Sequence, residues 1–452
     1  MFKSRFPLSA NAVNYYRWLV ADTSLSLGAA FRAFALPVLV FLATGSESQA
    51  GIIQATATAV SGASLLAGGV IVDHFDRRKL VMVEAVTGIV VTGAAIAWAL
   101  AFGLSFWLLL VVGVLMALRS GLLSTSTDAL LRDVVPPKEL PSRMAMNEGR
   151  DAAIQLGGGP LAGALVTWHW LSNFAAELVL NALAMVTAAR IRLLPEGARA
   201  EEDAAAEDGV TEEDASPAAG AAPAPEADTP KETGGMVSHA LAGFKLLAAN
   251  QLMRRFAVLL VLFNPFLNGF FLYLLLSTLK TSSAPISAAF FNSVSAVGML
   301  LGAAAATRLV KRFPTGKLIG FTFTVPVVCA VSITLAPSIW VKLALIAPML
   351  FLVPAANSAF GGFYMLMIPK RMLGRVWAAA GVGNALIAPL VSLGLGYSLE
   401  HLGPTPTGLL LAAGMAPVAL FTITSRDTMA IPLPDQWEDY LKTHGLTLTE
   451  TP

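Results

Sequence analysis

A single cysteine, Cys329, in 452 residues leaves no partner for an intramolecular disulfide and no basis for a thiolate metal cage. The five histidines, His74, His169, His239, His401 and His444, lie apart without ligand spacing, so no metal site is expected. Charge is scarce: 13% of residues are Asp, Glu, Lys or Arg, against about 25% in ordinary soluble domains. The formal net charge is +1, which gives no basic excess for a nucleic-acid partner. No G-x-x-x-x-G-K-S/T phosphate loop and no G-x-S-x-G nucleophile elbow occurs, so neither ATP hydrolysis nor any other enzymatic activity is expected, and no cofactor. The first seventeen residues lack a short apolar run ending in a small-residue cleavage site, so a removable signal peptide is not expected.

Apolar residues fill the chain instead: 56% of positions are hydrophobic and the mean hydropathy is +0.68. A hydrocarbon core of about 30 Å takes roughly 20 apolar residues of helix. Such runs recur at 18–42, 52–72, 80–101, 106–131, 147–167 and 171–194. After a polar interval they resume at 256–278, 286–310, 318–337, 339–368, 376–399 and 407–424. The expected fold class is an all-α membrane protein with twelve transmembrane helices in two six-helix bundles. With the N-terminus inside, 26 of the 30 cations are cytoplasmic, Lys280 and Lys342 are outside, and Arg32 and Arg119 are within spans. That bias is the one that fixes membrane orientation, so both termini are expected in the cytoplasm. Trp18, Trp107, Trp168, Trp170, Trp340 and Trp377 fall at span ends, where an amphipathic ring prefers the headgroup zone.

The near-zero charge conceals an uneven distribution. Residues 196–232 hold twelve acids and two bases, leaving 28 bases and 17 acids elsewhere. The expected organisation is a first bundle over 1–194, a disordered acidic cytoplasmic linker over 195–235, an amphipathic interfacial helix over 236–255, a second bundle over 256–425 and a cytoplasmic tail over 426–452. The linker has too little apolar surface to offset ordering entropy. In the helix after it, Val237, Leu241, Phe244, Leu247 and Leu252 recur at near-helical spacing among Lys245, Arg254 and Arg255. A shift of 234 positions lays Ser61–Gly68 over Ser295–Gly302 and Arg77, Arg78 over Lys311, Arg312. This weak repeat suits two halves related by an axis along the membrane normal.

Residues 69–79, on the turn between the second and third spans, read G-V-I-V-D-H-F-D-R-R-K. They resemble the major facilitator superfamily signature turn, G-x-x-x-D-R-x-G-R-R, with His74 and Asp76 as departures; the plainer reading is a cytoplasmic turn that collects cations. Gly69 is expected to let helices approach closely, Asp73 to sit against a helix N-terminus or nearby arginines, and Arg77 and Arg78 to hold the turn at an anionic leaflet. The resemblance implies that Asp73 takes part in a conformational switch, partly through the start of the eleventh span at residues 374–377. In the fifth span Gly159, Pro160 and Gly163 resemble the family's antiporter element, with Gln155 and Ala164 as departures. A small-residue packing seam like that at 298–302 is the alternative.

Ionisable residues inside spans are costly and mark candidate sites. Arg32 and Arg119 lie deep in the first and fourth spans. Asp22, Glu84 and Asp128 lie within about a turn of the cytoplasmic ends, where solvated or salt-bridged roles compete with proton transfer, and Glu177 lies near the outer end of the sixth. Asp22, Arg32, Arg119, Asp128 and Glu177 are the candidates for proton or substrate coupling. The second half offers neutral polar groups instead, Asn264, Asn268, Asn357 and Asn384 as candidate cavity residues.

The chain is similar over all twelve spans to the major facilitator superfamily. A narrower similarity is to its bacterial efflux branch of macrolide and enterobactin-type siderophore exporters. That rests on Ala35-Leu36-Pro37, Asp133 to Pro136, Glu139-Leu140, Asn147 and Gly159-Pro160. The resemblance implies a proton-coupled exporter of amphipathic organic compounds in a bacterial inner membrane, driven by the proton gradient and working as a monomer. Its partners are a small-molecule substrate and the lipid bilayer. An importer or a lysolipid flippase on the same fold, or a polytopic sensor or scaffold, is the alternative. Deleting residues 201–228 is expected to leave transport largely intact, read as dye accumulation in cells, because a segment without a packed core carries no part of the pathway; loss of activity would favour the scaffold.

Overall fold

The computed structural model describes residues 10–135, 139–192, 251–281, 285–367 and 370–443. The acidic linker and residues 236–250 of the expected interfacial helix lie outside the described residues. Among those described there is no strand. Seven helices come before the linker: α1 (Ala10–Thr44), α2 (Glu47–His74), α3 (Arg77–Phe102), α4 (Phe106–Leu123), α5 (Thr125–Val134), α6 (Leu140–Trp168) and α7 (Ser172–Ala188). After it come α8 (Gln251–Thr281), α9 (Pro285–Arg312), α10 (Thr315–Leu335), α11 (Ile339–Phe351), α12 (Val353–Met367), α13 (Lys370–Leu402) and α14 (Pro404–Thr424), then the short α15 (Arg426–Met429) and α16 (Trp437–Thr443).

Nine spans among the described residues are long and apolar enough to cross a membrane, two of them formed by α4 with α5 and by α11 with α12. The short apolar α7 and the more polar α2 and α6 complete the expected twelve. Contacts divide the chain into two compact units. Ser46–Ala59, the first part of α2, groups with the second unit and Val60 onward with the first, a division the hydropathy pattern does not reveal.

The repeat is visible in which helices meet. In the first unit α1 packs on α6 and α7, and α3 on α4, α5 and α7. In the second, α8 packs on α13 and α14, and α10 on α11, α12 and α14, the same pairs one half later. Lipid gives helices little hydrophobic reason to associate, so packing must come from close approach of small residues. Gly68 of α2 lies against the backbone of Gly121 and Leu122, just before α4 ends; Gly302 of α9 lies against Phe351 and Pro354, where α11 gives way to α12. These two glycines are the aligned ends of the repeated segment. Gly69, expected to serve this purpose, is exposed with nothing within 4 Å of an added Cβ. Adjacent residues are about 100° apart around a helix, so the contact falls to its neighbour.

Trp107, Trp168 and Trp340 are well exposed, as interfacial rings should be in the absence of lipid. Trp18 is instead buried in a core with Tyr15, Leu25, Val81, Leu130 and Ile191. Its indole Nε1 donates to the Thr127 carbonyl at 2.8 Å.

Inside the second unit, Glu47 at the start of α2 is buried and pairs with Lys280 at 2.8 Å. Ser46 Oγ and the Ser48 amide donate to Glu400 at 2.6 and 2.9 Å. A Cβ on Gly51 would stand 2.9 Å from Gly396 Cα, so these helices nearly touch. After α14, residues 426–443 fold back onto the unit. Pro432 and Ile431 carbonyls accept from the Thr315 and Gly316 amides at 3.2 and 3.1 Å, satisfying the first turn of α10. Trp437 Nε1 donates to Thr315 Oγ1 at 3.1 Å, and its ring lies on Gly362 and Phe363 of α12.

Gly302→Ala is expected to cost about 1–3 kcal/mol of stability, because its methyl must displace backbone. The readout is the thermal midpoint of the purified protein, with Gly361→Ala, which meets nothing within 4 Å, as the neutral control.

Candidate functional site

The first unit brings two arginines and two glutamates from four helices into one buried network. Arg32 of α1 donates to the Glu177 carboxylate of α7, both largely shielded. Gly28, one turn earlier on α1, lies beside the Glu177 side chain; a Cβ there would stand 3.6 Å from it, an ordinary contact. One turn along α7, Asn181 donates through Nδ2 to the Glu177 carbonyl at 2.8 Å. Its Oδ1 accepts from Arg119 Nη2 at 2.8 Å. Arg119 of α4 also lies 3.8 Å from Glu84 of α3. Gly88, one turn beyond Glu84, has no room for a Cβ beside the Asn181 amide.

The order is therefore Arg32, Glu177, Asn181, Arg119, Glu84. Two positive and two negative charges balance, the condition under which charge is tolerated away from water. Glu84 Oε2 and Arg119 Nε have no hydrogen-bond partner in the structure, so the network is neutral but incompletely satisfied. Protonating either glutamate would leave a guanidinium in excess, so such an arrangement is sensitive to a single proton.

Of the expected coupling residues, Arg32, Arg119 and Glu177 come together. Asp22 does not join them. It lies twelve residues into α1, deeper than a terminal turn, buried and paired with Arg150 of α6 at 2.5 Å. Arg150 also binds Asp151 at 2.7 Å and lies over the Trp18 ring. Asp128 is exposed near the start of α5. Glu84, grouped in the sequence with the near-terminal acids, is instead buried beside Arg119; it and Asn181 are the members that sequence reasoning missed. The available signal was the seven-residue step from Arg77, about 10 Å along the helix, with Gly88 one turn beyond on the same face.

In the signature turn, Arg77 donates to Asp133 at 2.9 Å and to the Ala129 carbonyl at 3.4 Å, tying α3 to α5. Arg78 donates to the Ala188 and Ala189 carbonyls, a cation at the C-terminus of α7. Asp76, where the family pattern has glycine, caps α3 by accepting from the Lys79 amide at 3.2 Å. Asp73 is in the last turn of α2; its side chain, and those of residues 374–377, lie outside the described residues.

Gly159 and Gly163 are buried in α6 and Pro160 is half-buried; Gly158 beside them packs on α1, where an added Cβ would stand 3.1 Å from the Ala30 methyl. In the second unit Asn264, Asn268 and Asn357 are exposed and Asn384 is half-buried with Oδ1 unpartnered. Among the described residues no group of three or more His, Cys, Asp or Glu could hold a metal.

Helical spans in two units, with a network of opposed charges buried among those of the first, describe a polytopic membrane protein. The chain belongs to the Major Facilitator Superfamily, whose sequence profile matches residues 23–392. No curated protein sequence matches it. Among solved structures it is similar to a D-xylose-proton symporter, at 14% identity and TM-score 0.62, covering 92% of this chain and 96% of that one. A POT family transporter in complex with a thioalcohol-conjugated peptide is similar at 12% identity and TM-score 0.67, covering 92% and 96%. The nucleoside transporter NupG is similar at 10% identity and TM-score 0.64, covering 91% and 98%. At such identities the likeness establishes the fold. The protein is thus a multi-pass membrane transporter of small molecules.

Arg119→Met is expected to destabilise the first unit by about 3–5 kcal/mol, because Glu84 is left buried without a counter-charge. The double variant Arg119→Met, Glu84→Gln should recover much of that loss in thermal unfolding, whereas strictly additive losses would mean the two groups do not interact.

Proposed function

We propose that the protein is a proton-coupled exporter of amphipathic organic compounds working by alternating access from a bacterial inner membrane, with both termini cytoplasmic. The observation that carries this reading is the asymmetry of buried charge. Asp22, Glu84, Arg119 and Glu177 are buried in the first unit, while in the second the one buried charged residue among those described is Glu47, at a helix end. In this reading protons bind in the first unit, and substrate discrimination falls mainly to the apolar and neutral polar side chains of the second, with Asn264, Asn268, Asn357 and Asn384 as contributors.

A proton arriving at Glu177 releases Arg32, and one arriving at Glu84 leaves Arg119 held by Asn181. Either event changes the relative stability of two conformations that differ in how these pairs are made, which is all a coupling ion has to do. A proton crossing the membrane supplies about 2.3 kcal/mol per 100 mV, and each tenfold uphill step of a neutral substrate costs about 1.4 kcal/mol. One proton therefore sustains a gradient of more than tenfold. Export rather than import is supported by the Gly159, Pro160, Gly163 element and its likeness to exporters. The second reading, import with the proton, is favoured by the fold likeness to a proton symporter.

Dye or antibiotic accumulation in efflux-deficient cells, with and without the protein and with a protonophore, tests the reading. The parent should lower accumulation and the protonophore should restore it. Glu177→Gln and Glu84→Gln should lose gradient-driven efflux by tenfold or more, about 1.4 kcal/mol or above in effective driving energy, while Asp128→Asn stays near the parent. Indifference to the protonophore would remove proton coupling, and labelled-substrate uptake into cells would reverse the direction.

A further inference from the structure

One polar group at the far end of the first unit is unexplained by the network. Asn173, in the first turn of α7, is 3% exposed, yet its Oδ1 has no hydrogen-bond partner. Its other end is anchored: Nδ2 donates to the Ala162 carbonyl of α6 at 2.9 Å. Asn173 lines a small cavity with Glu177 and Arg32, walled by Leu36 and Leu39 of α1, Val112 of α4 and Phe174 of α7.

The cavity is too small for the cargo. Its space, mouth included, is about 280 Å³, below the range of pockets that enclose drug-sized molecules, roughly 300–1,000 Å³. Clear of atoms it has room for about one water. A buried water needs two to four polar partners, and the lining supplies an amide acceptor, a carboxylate and a guanidinium. A metal cation suits this lining poorly, because Arg32 brings a fixed positive charge to the same space. Glu177 lies five residues into α7, about 8 Å from the helix start, and the cavity is at the end of the unit remote from residue 10, outward in the proposed orientation.

We propose that this cavity is the outer proton port, a seat for one water between Asn173 and Glu177, through which Glu177 exchanges protons with the outside without using the substrate pathway. The proposal rests on the proton-coupled reading and adds where the proton enters. The step is a relay through that water: it takes up one proton from the outer side as it gives one to the Glu177 carboxylate, leaving a water on Asn173 and an unpaired Arg32 guanidinium. The apolar walls exclude other solvent, so the rate of transfer depends on that one water being present.

Two variants block the seat by different means. Val112→Leu narrows it and keeps every polar group, and Asn173→Leu removes the acceptor. Hydroxyl-radical footprinting of the purified protein reads the water itself, because a bound water beside Phe174 makes a buried ring label faster than its exposure allows. Phe174 labelling should be present in the parent and fall at least fivefold in both variants. Gradient-driven efflux should slow about tenfold, while substrate exchange at zero gradient, which requires no net proton transfer, stays at the parental rate.

An unlabelled Phe174 in the parent would overturn the proposal, as would unchanged gradient-driven efflux in both variants. Equal loss of exchange and net efflux would show a packing defect instead of a port, and labelling quenched by sodium chloride but not by choline chloride would make the seat a cation site. A parent that labels at Phe174 but ignores a protonophore would defeat the coupling reading, and the port with it, leaving only a structural water.

Discussion

Charge can stay inside a membrane only where its neutraliser arrives from another helix, and the first unit is arranged around that requirement. Arg32 and Glu177 come from α1 and α7, Arg119 and Glu84 from α4 and α3, and Asn181 joins the two pairs. Each member constrains the rotation of its own helix, because turning any of the four exposes an unpaired charge. The glycine at 88 makes space for Asn181, where a Cβ would clash with its amide. Packing and electrostatics are thus one constraint here, and a substitution in either is felt in the other.

The second unit is held mainly by close approach of small residues, with the Glu47–Lys280 pair at a helix end. Its helices meet through Gly298 and Gly302 against Ala347 and Phe351, through Gly51 against Gly396, and through Gly408 against Thr334 and Tyr273. The halves use equivalent helix pairs and both rely on glycine crossings, while the buried network of opposed charges lies in the first. That contrast suits a division of labour in which one half responds to protons and the other can change its cavity lining without disturbing the response.

Apolar run length was enough to place the spans, and the 234-residue repeat located the glycine crossings to within one residue. Rotation about each helix axis was not legible. Gly69 was favoured over Gly68, and Trp18 was placed among interfacial rings although it is buried, because a hydropathy pattern reports depth and says little about azimuth. Depth itself failed for Glu84, where charged residues at the start of α3 made the apolar run appear to begin late. Pair partners were illegible for the same reason: Arg119 had four acids within plausible reach, and only the fold selects Glu84. Asp76 is the converse case, a departure from the family pattern that reads as a defect in the motif and is a helix cap in the structure.

The strap formed by residues 426–443 follows every span in the chain, yet it closes the first turn of α10 and seats an indole on α12. During synthesis those helix ends must therefore enter the bilayer with their amides still uncovered, and they acquire their final partners only after α14 has been made. Maturation of the second unit is in this sense governed from its rear, so a bulky fusion joined before Trp437 would slow the folding of helices more than a hundred residues upstream.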